Sequence, residues 1–131
     1  MWLTIDLRSE TAIYLQIRDQ VIQGILLNEL KIGESLPSVR QLAADLGINM
    51  HTVSKAYNLL KQEGFIQIHR QKGAIVNAPN SYQASEEYYE QLKKAVKPLI
   101  IESSCRGISK GYFYKICEQI YRNIGLLEKG G

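Results

Sequence analysis

Ser38-Val39-Arg40-Gln41-Leu42-Ala43-Ala44-Asp45-Leu46-Gly47-Ile48-Asn49-Met50-His51-Thr52-Val53-Ser54-Lys55-Ala56-Tyr57-Asn58-Leu59-Leu60 reads as two short amphipathic helices joined by a tight turn. Ser38 followed three residues later by Gln41 has the pattern of a capping box. In that pattern the hydroxyl accepts from an orphan amide of the first turn and the Gln side chain reaches back. Leu42, Ala43 and Leu46 make the buried face, with Val39 leading in, and Gly47 supplies the left-handed residue that ends such a helix. The first helix of the pair is therefore predicted over about Ser38 to Leu46. Ile48 fills the turn and Asn49 is a good N-cap. Val53, Ala56, Tyr57 and Leu60 then recur at helical spacing until Gly64, which predicts a second helix over about Met50 to Glu63.

The flanks complete a small domain. Upstream, Ile13, Ile17, Val21 and Ile25, with Tyr14, Ile22 and Leu26 beside them, form one apolar stripe on a helix of about Thr11 to Leu27. Asn28 to Pro37, with Gly33, is a connection holding a short extended piece around Ile32. Downstream, Phe65-Ile66-Gln67-Ile68-His69, the tip Arg70-Gln71-Lys72-Gly73, and Ala74-Ile75-Val76-Asn77 read as a β-hairpin, with His69 a strand residue rather than a ligand. Pro79-Asn80-Ser81 then marks a boundary, dividing residues 1–78 from residues 79–131. In the second part Tyr88, Leu92, Ala95, Val96, Leu99 and Ile100 give an amphipathic helix from about Ser85, which Pro98 is expected to end or kink near Lys97. Ser103 to Gly107 reads as a loop. Ser109 caps a last helix in which Phe113, Ile116, Cys117, Ile120 and Tyr121 align, closing near Asn123 to Gly125. The fold class is thus mainly α with a small β-hairpin: a winged helix-turn-helix followed by a short two-helix unit.

Size and composition exclude other classes. At 131 residues and 14.9 kDa the chain has no room for a large catalytic fold. With 45% apolar and 22% charged residues it is an ordinary globular composition. Uncharged stretches such as Thr11 to Ile17 fall far short of the roughly 18 apolar residues of a spanning helix, so no membrane partner is expected. The beginning of the chain lacks a secretory signal, and a cytoplasmic location is expected. Cys105 and Cys117 are too few for a disulfide framework and are expected as reduced thiols in the core. His51, His69, Cys105 and Cys117 lie on different elements without ligand spacing. There is also no phosphate loop, nucleophile elbow or HExxH pattern, so no enzyme, metal or cofactor is expected.

Charge points to a partner through its distribution. The net charge is only +3, but Arg40 to Gly73 holds five cations (Arg40, Lys55, Lys61, Arg70, Lys72) against Asp45 and Glu63, and so carries the whole excess. A helix that reads DNA must be apolar on one side to dock on its own domain and polar on the other to face base edges. The predicted helix from Met50 meets this, leaving Asn49, Met50, His51, Thr52, Ser54, Lys55, Asn58 and Lys61 outward. The short polar side chains suit groove contacts and the lysines suit phosphates. Tyr57 reads as core, with a hydroxyl in reach of a phosphate.

The run Ile13-Tyr14-Leu15-Gln16-Ile17, then Gly33-Glu34-Ser35-Leu36-Pro37-Ser38-Val39-Arg40-Gln41-Leu42-Ala43, then Gly47-Ile48-Asn49-Met50-His51-Thr52-Val53, and Gly64-Phe65-Ile66 resembles the GntR family of bacterial transcription regulators. The motifs cover about residues 11 to 77, and the short tail is similar to the YtrA subfamily. The resemblance implies a sequence-specific DNA-binding repressor, acting as a homodimer on an inverted-repeat operator, and suggests control of a neighbouring transport operon. It implies that Arg40 contacts the major groove with Ser38 near a phosphate. It also makes Asn49, Met50, His51 and Thr52, followed by Ser54 and Lys55, the start of the recognition helix. Where many members carry Arg this chain has Met50, whose side chain suits a thymine methyl. Where the family usually has Gly-x-Gly at the wing tip, this chain has Gln71-Lys72-Gly73, kept cationic by Arg70 and Lys72.

The tail is expected to dimerise, because two short amphipathic helices cannot bury their stripes alone. Tyr88, Leu92, Val96, Leu99, Phe113, Ile116 and Ile120 are its expected interface residues. The tail leaves little room for the large effector pocket of other members; a small-molecule effector stays open as a partner, with no residue giving its identity. The alternative reading is a winged helix used for protein contact without DNA.

Overall fold

The computed structural model describes residues 3–126 and divides the chain into two compact units, Met1–Gln83 and Ala84–Gly131. The first contains helices α1 (Ile13–Leu26), α2 (Val39–Leu46) and α3 (Met50–Gln62) and strands β1 (Ile66–His69) and β2 (Gly73–Val76), then a 3-10 turn at Pro79–Ser81. The second contains α4 (Glu86–Cys105) and α5 (Lys110–Asn123). The mainly helical winged helix-turn-helix read from the sequence is the fold observed.

The core of the first unit is built from the expected stripes: Ile17 and Val21 of α1, Leu42 and Ala43 of α2, and Val53, Ala56, Tyr57 and Leu60 of α3. β1 and β2 pair antiparallel with Ile66 opposite Val76 and His69 opposite Gly73, and Ile66 and Val76 close the core from below the hairpin. The connection before α2 contributes more than a loop. Its extended piece lies at Ser35, which bridges to Ile75, rather than around Ile32. The Leu36 amide donates to the Ala74 carbonyl (2.8 Å) and the Val76 amide to Glu34 (3.0 Å), so residues 33–36 cover the free edge of β2 and satisfy its backbone groups.

Four ties in this unit are not visible in local periodicity. Leu3 is buried, and the segment after it is pinned by glutamines of α1: the Thr4 amide donates to Gln20 Oε1 (2.9 Å) and the Asp6 amide to Gln16 Oε1 (2.8 Å). Arg18 of α1 holds Glu63 after α3 with two parallel bonds, of 2.8 and 2.9 Å, a fork that also raises the Arg18 pKa above its ordinary value. Gly64 turns the chain out of α3 at φ 87°, and a Cβ there would stand 2.3 Å from the Ser81 carbonyl oxygen, so only glycine fits. Tyr82, read as a tail residue, stacks on Phe65 with ring centroids 4.6 Å apart and belongs with the winged unit.

The second unit corrects two expectations. Pro98 does not end the helix near Lys97: α4 continues for seven residues beyond it, through most of the stretch read as a loop. One missing amide bond is tolerated because the turns on either side of it are helical. The helix then closes where the Ile108 amide donates to the Ser103 carbonyl (3.0 Å). The cysteines are free but not in a core: Cys105 is exposed and Cys117 half-buried, because neither α4 nor α5 has a buried residue. Ser85 and Ser109 cap their helices, accepting from the Tyr88 and Tyr112 amides, each at 3.1 Å.

Candidate nucleic-acid interface

The helix-turn-helix sets where the candidate side chains stand. Ser38 Oγ accepts from the Gln41 amide (3.0 Å) and starts α2. Only half of the expected capping box forms, because the Gln41 side chain donates to Asp45 Oδ1 (2.8 Å) one turn on instead of reaching back. That bond engages Asp45, the one carboxylate on α2, and Arg40 is left exposed without a hydrogen bond or ion pair among the described residues. Gly47 takes the left-handed conformation at φ 67° and the Ile48 amide returns to the Ala43 carbonyl (3.0 Å), which fixes the turn. Asn49 Oδ1 then accepts from the His51 amide (2.7 Å) and opens α3.

The outward side of α3 carries the residues expected there. Asn49, Met50, His51, Lys55 and Asn58 are exposed and Thr52 and Ser54 half-buried, while Val53, Ala56, Tyr57 and Leu60 are sealed on the opposite side. Tyr57 is corrected in one respect. Its hydroxyl donates to the Pro37 carbonyl (2.7 Å), and the buried ring, its pKa raised by desolvation, is not free to reach a phosphate. That bond ties the middle of α3 to the residue just before the α2 cap, so Ser38 and Arg40 are held at a fixed place relative to α3. Lys55 also has a partner that sequence spacing does not give: its Nζ lies 4.1 Å from the centroid of the Tyr14 ring on α1.

At the hairpin tip Arg70, Lys72 and Gly73 are exposed. The His69 ring, at the end of β1, organises the tip: Nδ1 accepts from the amides of Gln71 and Lys72, both at 3.3 Å, and Gly73 at φ 75° leads back into β2. The cationic tip is thus a closed turn and not a loose loop.

In the second unit Tyr88, Leu92, Leu99 and Ile120 are exposed and Val96, Phe113 and Ile116 half-buried. Leu92, Val96, Ile100 and Ile101, with the stems of Lys93 and Lys97, line an open apolar groove of about 450 Å³ along α4. Among the described residues no group of three or more His, Cys, Asp or Glu is placed to hold a metal ion, and no helix is long and apolar enough to cross a membrane.

Residues 13–76 match the model of the family described as bacterial regulatory proteins, gntR family. The transcriptional repressor YtrA of Bacillus subtilis is 35% identical over 97% of this chain and 95% of its own length. Among solved structures, YtrA from Sulfolobus acidocaldarius, a GntR-family transcription factor, is 42% identical with a TM-score of 0.63, over 77% of this chain and 99% of that one. A transcriptional antiterminator from Listeria monocytogenes is 26% identical with a TM-score of 0.86, over 97% and 96% of the two chains.

Proposed function

The chain belongs to the GntR family of bacterial regulatory proteins, as a transcriptional regulator with a DNA-binding winged helix-turn-helix, and we propose that it represses transcription as a homodimer on an inverted-repeat operator. The proposed division of labour follows the two units: the first reads DNA and the tail pairs two copies. Its relatives are transcriptional regulators, and the proposed role is binding, without catalysis, in the cytoplasm.

The observation that carries this reading is the two-sidedness of α3 beside an Arg40 that is exposed and has no partner among the described residues. One side of the helix is sealed into the core, and the other offers Asn49, Met50 and His51 exposed and Thr52 half-buried beside the start of α1. In the proposed complex Arg40 donates to a guanine edge or a phosphate and Met50 packs on a thymine methyl. Lys55, Arg70 and Lys72 neutralise phosphates, with Ser38, Ser54 and Gly73 at the backbone. Dimerisation through Tyr88, Leu92, Val96, Leu99, Phe113, Ile116 and Ile120 is supported by the apolar stripes of α4 and α5, which their own unit leaves unburied. A two-fold dimer presents two α3 helices to successive major grooves, which dictates an inverted repeat.

Selection of bound duplexes from a random pool tests both halves. The expected product is one sequence with two-fold symmetry whose binding falls steeply with salt. Recovery of sequences with no symmetry, or of no enriched sequence, overturns the operator reading. A concentration-independent monomer mass in sedimentation overturns the dimer.

A further inference from the structure

The groove between the start of α1 and the outward side of α3 has a composition that neither the core nor the recognition turn requires. Its polar lining is Tyr14, His51, Ser54, Lys55, Asn58 and Gln62, with Leu59 beside them; its volume is about 470 Å³, and it continues past Thr52 toward Ala12. Among the described residues no carboxylate lines it, in a chain with 13 Asp and Glu. The charged group at its wall is Lys55, whose ammonium rests over the Tyr14 ring at 4.1 Å. Lys55 makes no hydrogen bond among the described residues, so its ammonium is available to whatever enters the groove. A ring face attracts an ammonium without taking up its whole donor set, which restrains the lysine and leaves N–H groups for an incoming anion.

We infer that Tyr14 is a positioning residue for DNA binding: its ring holds the Lys55 ammonium at the groove between α1 and α3, ready to receive one phosphate of the DNA backbone. The inference rests on the DNA-binding reading above. Its physical basis is the cost of ordering a long side chain at an interface, which a lysine held in place before binding has largely met. The phosphate joins an ammonium already aimed at it, and the groove contributes neutral donors, with no anion to compete.

The test measures affinity of the full-length protein for a duplex recovered from the random pool, across a series of salt concentrations. Tyr14→Phe keeps the ring and is expected to bind like the parent. Tyr14→Leu removes it and is expected to bind about two- to tenfold more weakly. Lys55→Met is expected to weaken binding and to flatten the slope of log affinity against log salt by about 0.9, the signature of one lost phosphate contact. The decisive variant is the Tyr14→Leu/Lys55→Met double. If Tyr14 acts through Lys55, the double binds no more weakly than Lys55→Met, whereas a merely structural role for the ring costs affinity in both backgrounds. The inference is overturned by a further loss in the double variant, by Tyr14→Phe behaving as Tyr14→Leu, or by Tyr14→Leu binding as well as the parent or better. A parent chain that recovers no duplex overturns the DNA-binding reading itself, a failure seen before any variant is made.

Discussion

Helices α3 and α4 are both amphipathic, yet they end in opposite conditions. α3, of 13 residues, has Val53, Ala56, Tyr57 and Leu60 sealed against α1, α2 and β1. α4, of 20 residues, has no buried side chain, and Leu99 remains 62% exposed. The contrast extends to their units, since every buried apolar side chain among the described residues belongs to the first. A stripe that costs this much exposed apolar surface is stable when something outside its own unit covers it. The winged unit therefore carries its stability within one chain, and the proposed dimer would tie the stability of the tail to association, hence to protein concentration.

The largest expected effect breaks the first half of that contrast. Leu60 is fully buried, and Leu60→Ala removes its side chain from the centre of the core, at an expected cost of about 2–5 kcal/mol. Chemical denaturation followed at several protein concentrations should place the same loss in the winged unit at each of them. A loss that shrinks as concentration rises would tie the winged core to assembly as well.

The second half is broken at Leu99. Leu99→Asp puts a charge into the exposed stripe of α4, and the expected result is a dimer weakened by on the order of 2 kcal/mol, roughly thirtyfold, as for truncation of a central interface anchor. The stability of the winged unit should not move. Sedimentation across a dilution series measures the first and denaturation the second; an unchanged dimer mass would remove this stripe of α4 from the interface.

Arg40 sharpens the comparison, because it is exposed for a different reason than Leu99. Its guanidinium has no partner among the described residues while Asp45 is engaged by Gln41, so Arg40→Ala should leave stability and dimer mass as they are and weaken operator binding by about 1–3 kcal/mol. Equal affinity of the folded variant for the selected duplex would take Arg40 out of the interface.

What sequence reveals divides along the range of the interactions. The helix-turn-helix is legible because its signals are local: Ser38, Gly47 and Asn49 act on amides two to five residues away, and Val53 to Leu60 declare their buried side by spacing. The unburied stripes of the tail are legible for the same reason, since the apolar pattern exists whether or not a neighbour covers it. Arg18 with Glu63, and Lys55 with Tyr14, are 45 and 41 residues apart, and no periodicity says which cation meets which partner. Residues 33–36 declare a connection by Gly33 and Pro37, and only the fold reveals that they complete the edge of β2. Pro98 misleads because propensity charges it for a lost bond and a clash, while in a helix of 20 residues the turns on either side of it remain bonded.

Tyr57 gives the smallest expected effect and joins the two sides of α3. Its ring is part of the core, and its hydroxyl, bonded to the Pro37 carbonyl at 2.7 Å, fixes the start of α2 and with it Arg40. Tyr57→Phe keeps the packing and removes one partly buried hydrogen bond, at an expected cost of about 1 kcal/mol. Burial raises the Tyr57 pKa because the phenolate would lose its hydration, so the folded state favours the neutral phenol. The sign follows from linkage: this contribution is fully present below the unfolded tyrosine pKa of about 10 and is lost progressively as pH rises above it. Stability measured on both sides of pH 10 should therefore fall more steeply in the parent than in Tyr57→Phe. If the variant also loses operator affinity at neutral pH, the hydroxyl positions Arg40 as well as closing the core; unchanged affinity confines it to stability.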